Sequence, residues 1–256
     1  MRTYIAKGVL AAFVAASATL VHAPSAAFAD ATAPFQARVY ATREGLMGGT
    51  TANGHKILYR DHFAALPSRR GLSQKGQGDH TVEVCADNGR CAFVPVWDVG
   101  PWNIYDDYWN SPRQQWNDLP RGMPEAQAAY YNGYNGRKDG FGRRVGNPAG
   151  IDLGDGTFWD GLLLTDNSWV TVKYWWTGAA AGLGKITTTG NGPLNMRSGP
   201  GTGYRVTGMS GYAANVPIEC WTPGTNVGGV TRWDRLPGGR YISHAYVTDI
   251  VTPPRC

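Results

Sequence analysis

The chain lacks the spacings that mark several large functional classes. Its four cysteines come with no Cys-x-x-Cys pair and no paired histidine spacing, so the sequence shows no ligand set for zinc. It carries no nucleic-acid-binding motif, and aromatics mixed with arginines do not make one. No internal repeat is visible, and no metal or organic cofactor is implied. Beyond residue 29 no stretch is more apolar than Gly8 to Val21, and that run falls short of the roughly 20 residues a membrane-spanning helix needs.

What is present begins with a basic start, Arg2 and Lys7, then that apolar run, then Ala27-Phe28-Ala29 before Asp30. This is the layout of a removable signal peptide over residues 1–29, with a short buried helix as the alternative. The expected mature chain is secreted, extracellular or wall-associated, with no membrane contact once the signal is removed. It has 227 residues, enough for one large β domain or two small ones. The abundance of glycine (35) and tryptophan (10) favours β structure. Charge is uneven: residues 30–179 hold 15 basic and 16 acidic side chains, residues 180–256 seven and three. A cationic tail suits an anionic wall polymer, and a merely solubilising face is the other explanation.

Cys85, Cys91, Cys220 and Cys256 are an even set in a chain addressed to an oxidising compartment, so two disulfides are expected. In VEVCADNGRCAFVPV the apolar alternation runs into Asp87-Asn88-Gly89 and out again. This reads as a hairpin with Gly89 in the left-handed position. Cys85 and Cys91 then sit directly opposite, with Cα atoms roughly 4.5 to 5.5 Å apart, within disulfide range. Cys220 and Cys256 are left for each other.

Residues 180–192, AAGLGKITTTGNG, are small and without apolar periodicity, so a linker is expected there, dividing a module of residues 30–179 from one of residues 193–256. Upstream, QARVYAT, HTVEVCAD, RCAFVPVWDVG, GIDLGDG and SWVTVKYWW read as strands between glycine-rich turns. Pro124 to Tyr131 reads as a helix with proline in its first turn, and a shorter helix is expected after Asp155. The fold class is mainly all-β.

The run Leu194-Asn195-Met196-Arg197-Ser198-Gly199-Pro200-Gly201-Thr202-Gly203-Tyr204 resembles the signature of bacterial SH3-like domains, and the following strands fit that family over about 60 residues. The bend at Ser198 to Gly201 lets a small barrel close. Such domains commonly bind peptidoglycan peptides or other wall components, so the resemblance implies a targeting module. Arg197 and Tyr204 are its candidate wall-ligand contacts or, equally, residues that pack the turn. Trp233 is expected in the core.

Residues 30–179 resemble the double-psi β-barrel proteins, which include the rare lipoprotein A group, expansins and some cellulases. Thr51-Ala52-Asn53-Gly54, His62 to Ser68, Val94 to Trp102 and Gly150-Ile151-Asp152-Leu153 occur in that family's order. The chain departs from the rare lipoprotein A pattern at three places. His55 stands for a glutamate, Trp97-Asp98-Val99-Gly100 for an N-D-R-G string, and Gly154 for a serine. The resemblance implies a double-psi barrel plus a small SH3-like barrel, and a groove lined by His62, Asp98 and Asp152. Two carboxyls suit glycosidic cleavage, one donating a proton and the other accepting one or stabilising positive charge. Structural roles stand beside that reading: Asp98 as a turn cap, Asp152 as the cap of the helix after it.

Between those aspartates lies an insert of about 45 residues that the smallest members of the family lack. From Trp97 to Tyr134 it holds nine aromatic residues in 38. Trp102, Tyr105, Tyr108 and Trp109 are the candidates for stacking on sugar rings, and a protein-binding loop is the alternative. The expected function is a secreted wall-associated protein that binds or remodels polysaccharide or peptidoglycan. A lytic transglycosylase or glycoside hydrolase using Asp98 and Asp152, and a secreted protease inhibitor, are the rivals.

Overall fold

In the computed structural model, which describes Met1 and residues 32–256, the alternating segments become strands. The expected leader, apart from Met1, lies outside the described residues. Six strands come first: β1 (Phe35–Glu44), β2 (Ala64–Leu66), β3 (Thr81–Ala86), β4 (Cys91–Val99), β5 (Ala149–Gly154) and β6 (Ser168–Tyr174). Five were legible as alternating runs. The three residues of β2 are too few for a period-2 pattern to register.

The pairings close on themselves. β1 pairs antiparallel with β6, β6 with β3, and β3 with β4; β4 is parallel to β2, β2 antiparallel to β5, and β5 parallel to β1. Exchanging β1 for β4, β2 for β5 and β3 for β6 leaves this set of pairings unchanged: β1–β6 becomes β4–β3, β4–β2 becomes β1–β5, and β2–β5 and β3–β6 map onto themselves. The barrel is therefore two interlocked three-strand halves, the double-psi arrangement. Its interior is filled by the inward positions, among them Val39 and Ala41 of β1, Val94 and Val96 of β4, Ile151 and Leu153 of β5, and Val170 and Val172 of β6. The β3–β4 turn has Gly89 at φ 82°, and Cys85 faces Cys91 in register and is bonded to it.

The insert between β4 and β5 carries one α-helix, α1 (Glu125–Asn132), with Pro124 at its N-cap and Gly133 closing it at φ 70°, and a 3₁₀ turn at Tyr134–Arg137. The helical turn after Asp155 is present at Thr157–Gly161.

Eight strands follow: β7 (Gly182–Ile186), β8 (Leu194–Arg197), β9 (Val206–Ser210), β10 (Asn215–Ile218), β11 (Cys220–Val227), β12 (Val230–Leu236), β13 (Arg240–Ser243) and β14 (Val247–Val251). β11, β12, β13, β8 and β9 pair in that order, while β7 is the middle strand between β10 and β14. The segment expected to be a linker thus contains a paired strand. Gly182 and Gly184 on that strand serve close packing: a Cβ on Gly184 would lie 2.5 Å from Val247 Cγ1 and 2.9 Å from Ile218 Cδ1. Cys220 is bonded to Cys256, as the pairing by elimination required.

The two halves share a sheet. β9 runs parallel to β4, with Cys91 opposite Gly208, where a Cβ would collide with the Cys91 carbonyl. Arg240 reaches across to Glu83 at 3.1 Å, and the Asn215 amide donates to Thr81 Oγ1 at 2.9 Å. No helix among the described residues is long and apolar enough to cross a membrane.

Candidate functional site

Asp98 and Asp152 come together through a bulge. Val96 and Leu66 point into the barrel, and strict alternation would send Asp98 inward as well. The β2–β4 register instead runs Ala64 to Val96 and then Ala65 to Asp98, with Trp97 as the extra residue. This shift turns Asp98 to the outer face. There Ala65 pairs with Asp98 on one side and Asp152 on the other, and Asp152 pairs with Thr42. Thr42, Asp152, Ala65 and Asp98 form a row across four strands. Two inter-strand steps separate the aspartate Cα atoms, about 9 to 10 Å, and the small Ala65 between them leaves the floor low. Gly100 packs beside Asp152, where a Cβ would lie 3.6 Å from Oδ2.

Each carboxyl is held differently. Asp98 Oδ1 accepts the Ala52 and Val99 amides, both at 2.8 Å. Asp152 Oδ1 accepts the Thr42 hydroxyl. Burial is the main cause that pushes Asp152 up to about 6, against the Thr42 hydrogen bond, with the charge of Asp98 adding to the rise.

A third carboxyl joins them that sequence reading missed. Glu44, two residues beyond Thr42 on the same face of β1, is buried, and its Oε2 has no partner. Desolvation first, then a hydrogen bond to and the charge of Asp98, then the charges of Asp152 and Asp155, push its carboxyl up to about 9. At neutral pH Glu44 holds its proton while Asp152 has lost most of its own. Its only sequence signal was the outward alternation Gln36, Arg38, Tyr40, Thr42, Glu44 along β1.

His62 does not join the row. It lies against Gly156, where a Cβ would come 2.5 Å from its Cε1, with Nε2 buried and unpartnered. Burial lowers its proton affinity. It lines a separate cavity of about 220 Å³ with His55, Asp61, Trp97 and Tyr212. In that cavity His55 Nε2 lies 2.5 Å from Asp61 Oδ2.

The insert's predicted sugar-stacking rings divide. Tyr108 and Trp109 are fully buried, which corrects their assignment as exposed platforms. Tyr108 donates to the Gly150 carbonyl at 2.8 Å and accepts from Tyr174 at 2.8 Å, and Trp109 stacks on Tyr174 at 5.5 Å. The insert folds back onto the barrel, and its largest rings supply the apolar surface that seals it. Trp102 is half-buried against Ala126, Ala129 and Val145 and donates to Asn147 Oδ1 at 3.0 Å. Tyr105 remains exposed. The insert's acids are structural: Asp106 binds Arg113 and the Glu125 amide, and Asp107 binds Arg70 at 2.9 Å.

Residues 35–173 match the family described as Domain of unknown function (DUF8814). The chain belongs to that family. No curated protein matches it. Among solved structures, a mutant expansin from Clavibacter michiganensis in complex with cellohexaose aligns with a TM-score of 0.30 and 10% identity. The alignment covers 86% of this chain and 93% of that one. The DUF8814 region runs from the start of β1 to the penultimate residue of β6, so the acidic row and the insert both lie within it.

Outside the DUF8814 region, Arg197 Nη1 donates to the Tyr204 carbonyl at 2.8 Å, and the Tyr204 ring covers Gly199, where a Cβ would meet it at 2.5 Å. Both residues therefore hold the turn. Tyr204 is half exposed, and Arg197 also lines an open cavity of about 470 Å³ with Leu194, Asn195, Thr202 and Tyr246. Trp233 is buried and donates to the Thr225 carbonyl at 2.8 Å. Glu83, Cys85 and Cys91 converge as metal ligands do, but both sulfurs are spent in a disulfide and offer no thiolate.

Proposed function

We propose that this is a secreted, wall-associated protein whose barrel engages a polysaccharide across the Asp98–Asp152 row. In this reading the cationic second half holds it to the wall through the cavity beside Arg197. The observation that carries the reading is the row itself. It combines two carboxyls about 9 to 10 Å apart at Cα with a residue between them as small as Ala65. Two disulfides support an oxidising compartment.

Cleavage is the second reading, and Glu44 is the observation that favours it. A carboxyl that keeps its proton at neutral pH can donate to a glycosidic oxygen, while Asp152, with a pKa of about 6, is ionised and can accept a proton or face developing positive charge. Incubation with purified peptidoglycan and with cellulose, followed by mass spectrometry of the soluble fraction and a pull-down of the insoluble one, tests both. Retention on the polymer that weakens in Asp98→Asn and Asp152→Asn supports engagement by the row. Soluble fragments that disappear in the same variants support cleavage. No retention and no fragments with either polymer would remove the glycan reading.

A further inference from the structure

We propose that the hairpin of residues 137–145 in the insert is a binding site for a base-free, phosphodiester-linked polyanion, which Lys138 and Arg144 grip from opposite strands beside the exposed Phe141 ring. The site uses none of the residues of the Asp98–Asp152 row, and the inference stands without the glycan reading above.

The backbone register sets the two cations face to face. The Val145 amide donates to the Arg137 carbonyl at 3.0 Å and the Asp139 amide to the Arg143 carbonyl at 2.9 Å, which leaves Lys138 and Arg144 directly opposite each other between them. This is the closer kind of antiparallel pair, with Cα atoms about 4.5 Å apart and both side chains on one face. Alternation says which face. Asp139 and Val145, on the neighbouring pairs, are 1% and 4% exposed, so Lys138 and Arg144 point to solvent. Like charges directly opposed across two strands destabilise the pairing. Among the described residues, the hairpin's one ion pair is Arg143 with Asp139 at 2.6 Å, and Arg137, Lys138 and Arg144 stay exposed without a carboxylate.

The loop is fixed in this shape from within and from below. Asp139 Oδ1 accepts the Phe141 and Arg143 amides, both at 2.9 Å, and Gly142 takes the left-handed turn at φ 79°. The Gly140 amide donates to Asn103 Oδ1 at 2.7 Å and Arg143 Nη2 to the Trp102 carbonyl at 2.7 Å. Val145 packs with Ala126 and Ala129 of α1. A loop anchored this well that still opposes two cations, at a cost in stability, has the pattern of a site whose repulsion a bound anion relieves.

The chemistry of the grip selects the anion. A carboxylate presents two oxygens in one plane, which a single guanidinium fork satisfies. A phosphodiester shares its charge between two oxygens that point apart, so an ammonium and a guanidinium on opposite strands can each take one. Residues 137–144 hold four cations and one acid, and three of those cations are exposed and unpaired, which matches a chain of repeated charge rather than a lone phosphate. Phe141 is 56% exposed, with the Arg143 guanidinium 4.9 Å from its centroid, and offers the carbon backbone of such a chain an apolar contact. One ring does not make the succession of stacking platforms that nucleic-acid bases use. The partner that fits is a polyol-phosphate chain.

The test is calorimetric titration of the mature chain with poly(glycerol phosphate), polygalacturonate and single-stranded DNA at low and high salt. Lys138→Ala, Arg144→Ala, Arg144→Glu and Lys75→Ala are titrated and thermally unfolded in parallel. The parent binds poly(glycerol phosphate) more tightly than the other two polymers, and salt weakens the binding. Lys138→Ala and Arg144→Ala each weaken it about tenfold, the order of one charge-assisted hydrogen bond, while the unfolding midpoint holds or rises because the opposed charges are relieved. Arg144→Glu abolishes binding and raises the midpoint, since it turns repulsion into attraction across the strands. Lys75→Ala removes an exposed cation elsewhere on the barrel and binds like the parent. Full affinity in both hairpin alanine variants overturns the site. Equal losses in Lys75→Ala and Arg144→Ala also overturn it, because net charge alone would then attract the polymer. Tighter binding of polygalacturonate overturns the phosphodiester class, and tighter binding of single-stranded DNA overturns the base-free partner. A parent that binds none of the three overturns the proposal and leaves the glycan reading of the row untouched.

Discussion

At the scale of single residues, Glu44 makes a prediction about stability that needs no knowledge of the ligand. Its carboxyl titrates at about 9 in the folded chain against 4.5 for an ordinary glutamate. The folded state therefore binds the proton more tightly, and the resulting stability is complete below pH 4.5 and is lost as pH rises toward 9. Asp152, raised from 3.8 to about 6, adds a loss of the same sign over a lower window. Gln at position 44 mimics the protonated form, so Glu44→Gln matches the parent at pH 4 and exceeds it progressively toward pH 9. Thermal unfolding across that range checks this, and parallel curves for the two proteins would contradict it. Asp98 and Asp152 stand out in the sequence because each follows an apolar strand-like segment, Phe93 to Trp97 and Ile151. Glu44 does not, because its meaning depends on which face of β1 closes against β5. The rings of Tyr108 and Trp109 looked like surface because aromatic density alone does not say how much a barrel end must bury.

At the scale of elements, the hairpin disulfide was readable from local alternation, since β3 and β4 are consecutive and Gly89 fixes their register. The strand within 180–192 was not legible for the opposite reason: its Gly182 and Gly184 answer to Pro253, Val247 and Ile218, far along the chain. The two disulfides close loops of very different size, with separations of 6 and 36 residues. On chain entropy alone the short loop contributes about 2 kcal/mol and the long one about 4 kcal/mol. Replacing Cys220 and Cys256 together by alanine is therefore expected to lower the denaturant midpoint more than replacing Cys85 and Cys91. Equal shifts would mean that native packing around each bridge, rather than loop closure, sets its worth.

At the scale of the whole molecule, the shared sheet is expected to make the two halves unfold as one unit. Glu83 on β3 is fully buried and binds Lys173 of the barrel at 3.0 Å and Arg240 of the second half at 3.1 Å. Arg90 donates to the Val206 carbonyl at 3.2 Å across the same boundary, and Lys185 on β7 reaches back to the Gly76 carbonyl at 2.9 Å. Calorimetry should then show one transition for the full chain. Glu83→Ala leaves two cations without their partner and should cost about 3 kcal/mol, toward the low end for a broken buried pair because both cations keep some solvent. That loss should move the whole transition rather than split it. The same architecture decides where the second half can be cut. A fragment of residues 193–256 lacks β7, the middle strand on which both β10 and β14 depend, and leaves their inner edges unpaired. A fragment starting at residue 180 restores that strand but still exposes Met196 and Ile218, which pack with Phe93 of the barrel. The shorter fragment is expected to show no cooperative unfolding, and the longer one a transition well below that of the full chain. Cooperative unfolding of residues 193–256 at the parent temperature would show that the halves are independent, and the shared sheet only a contact between them.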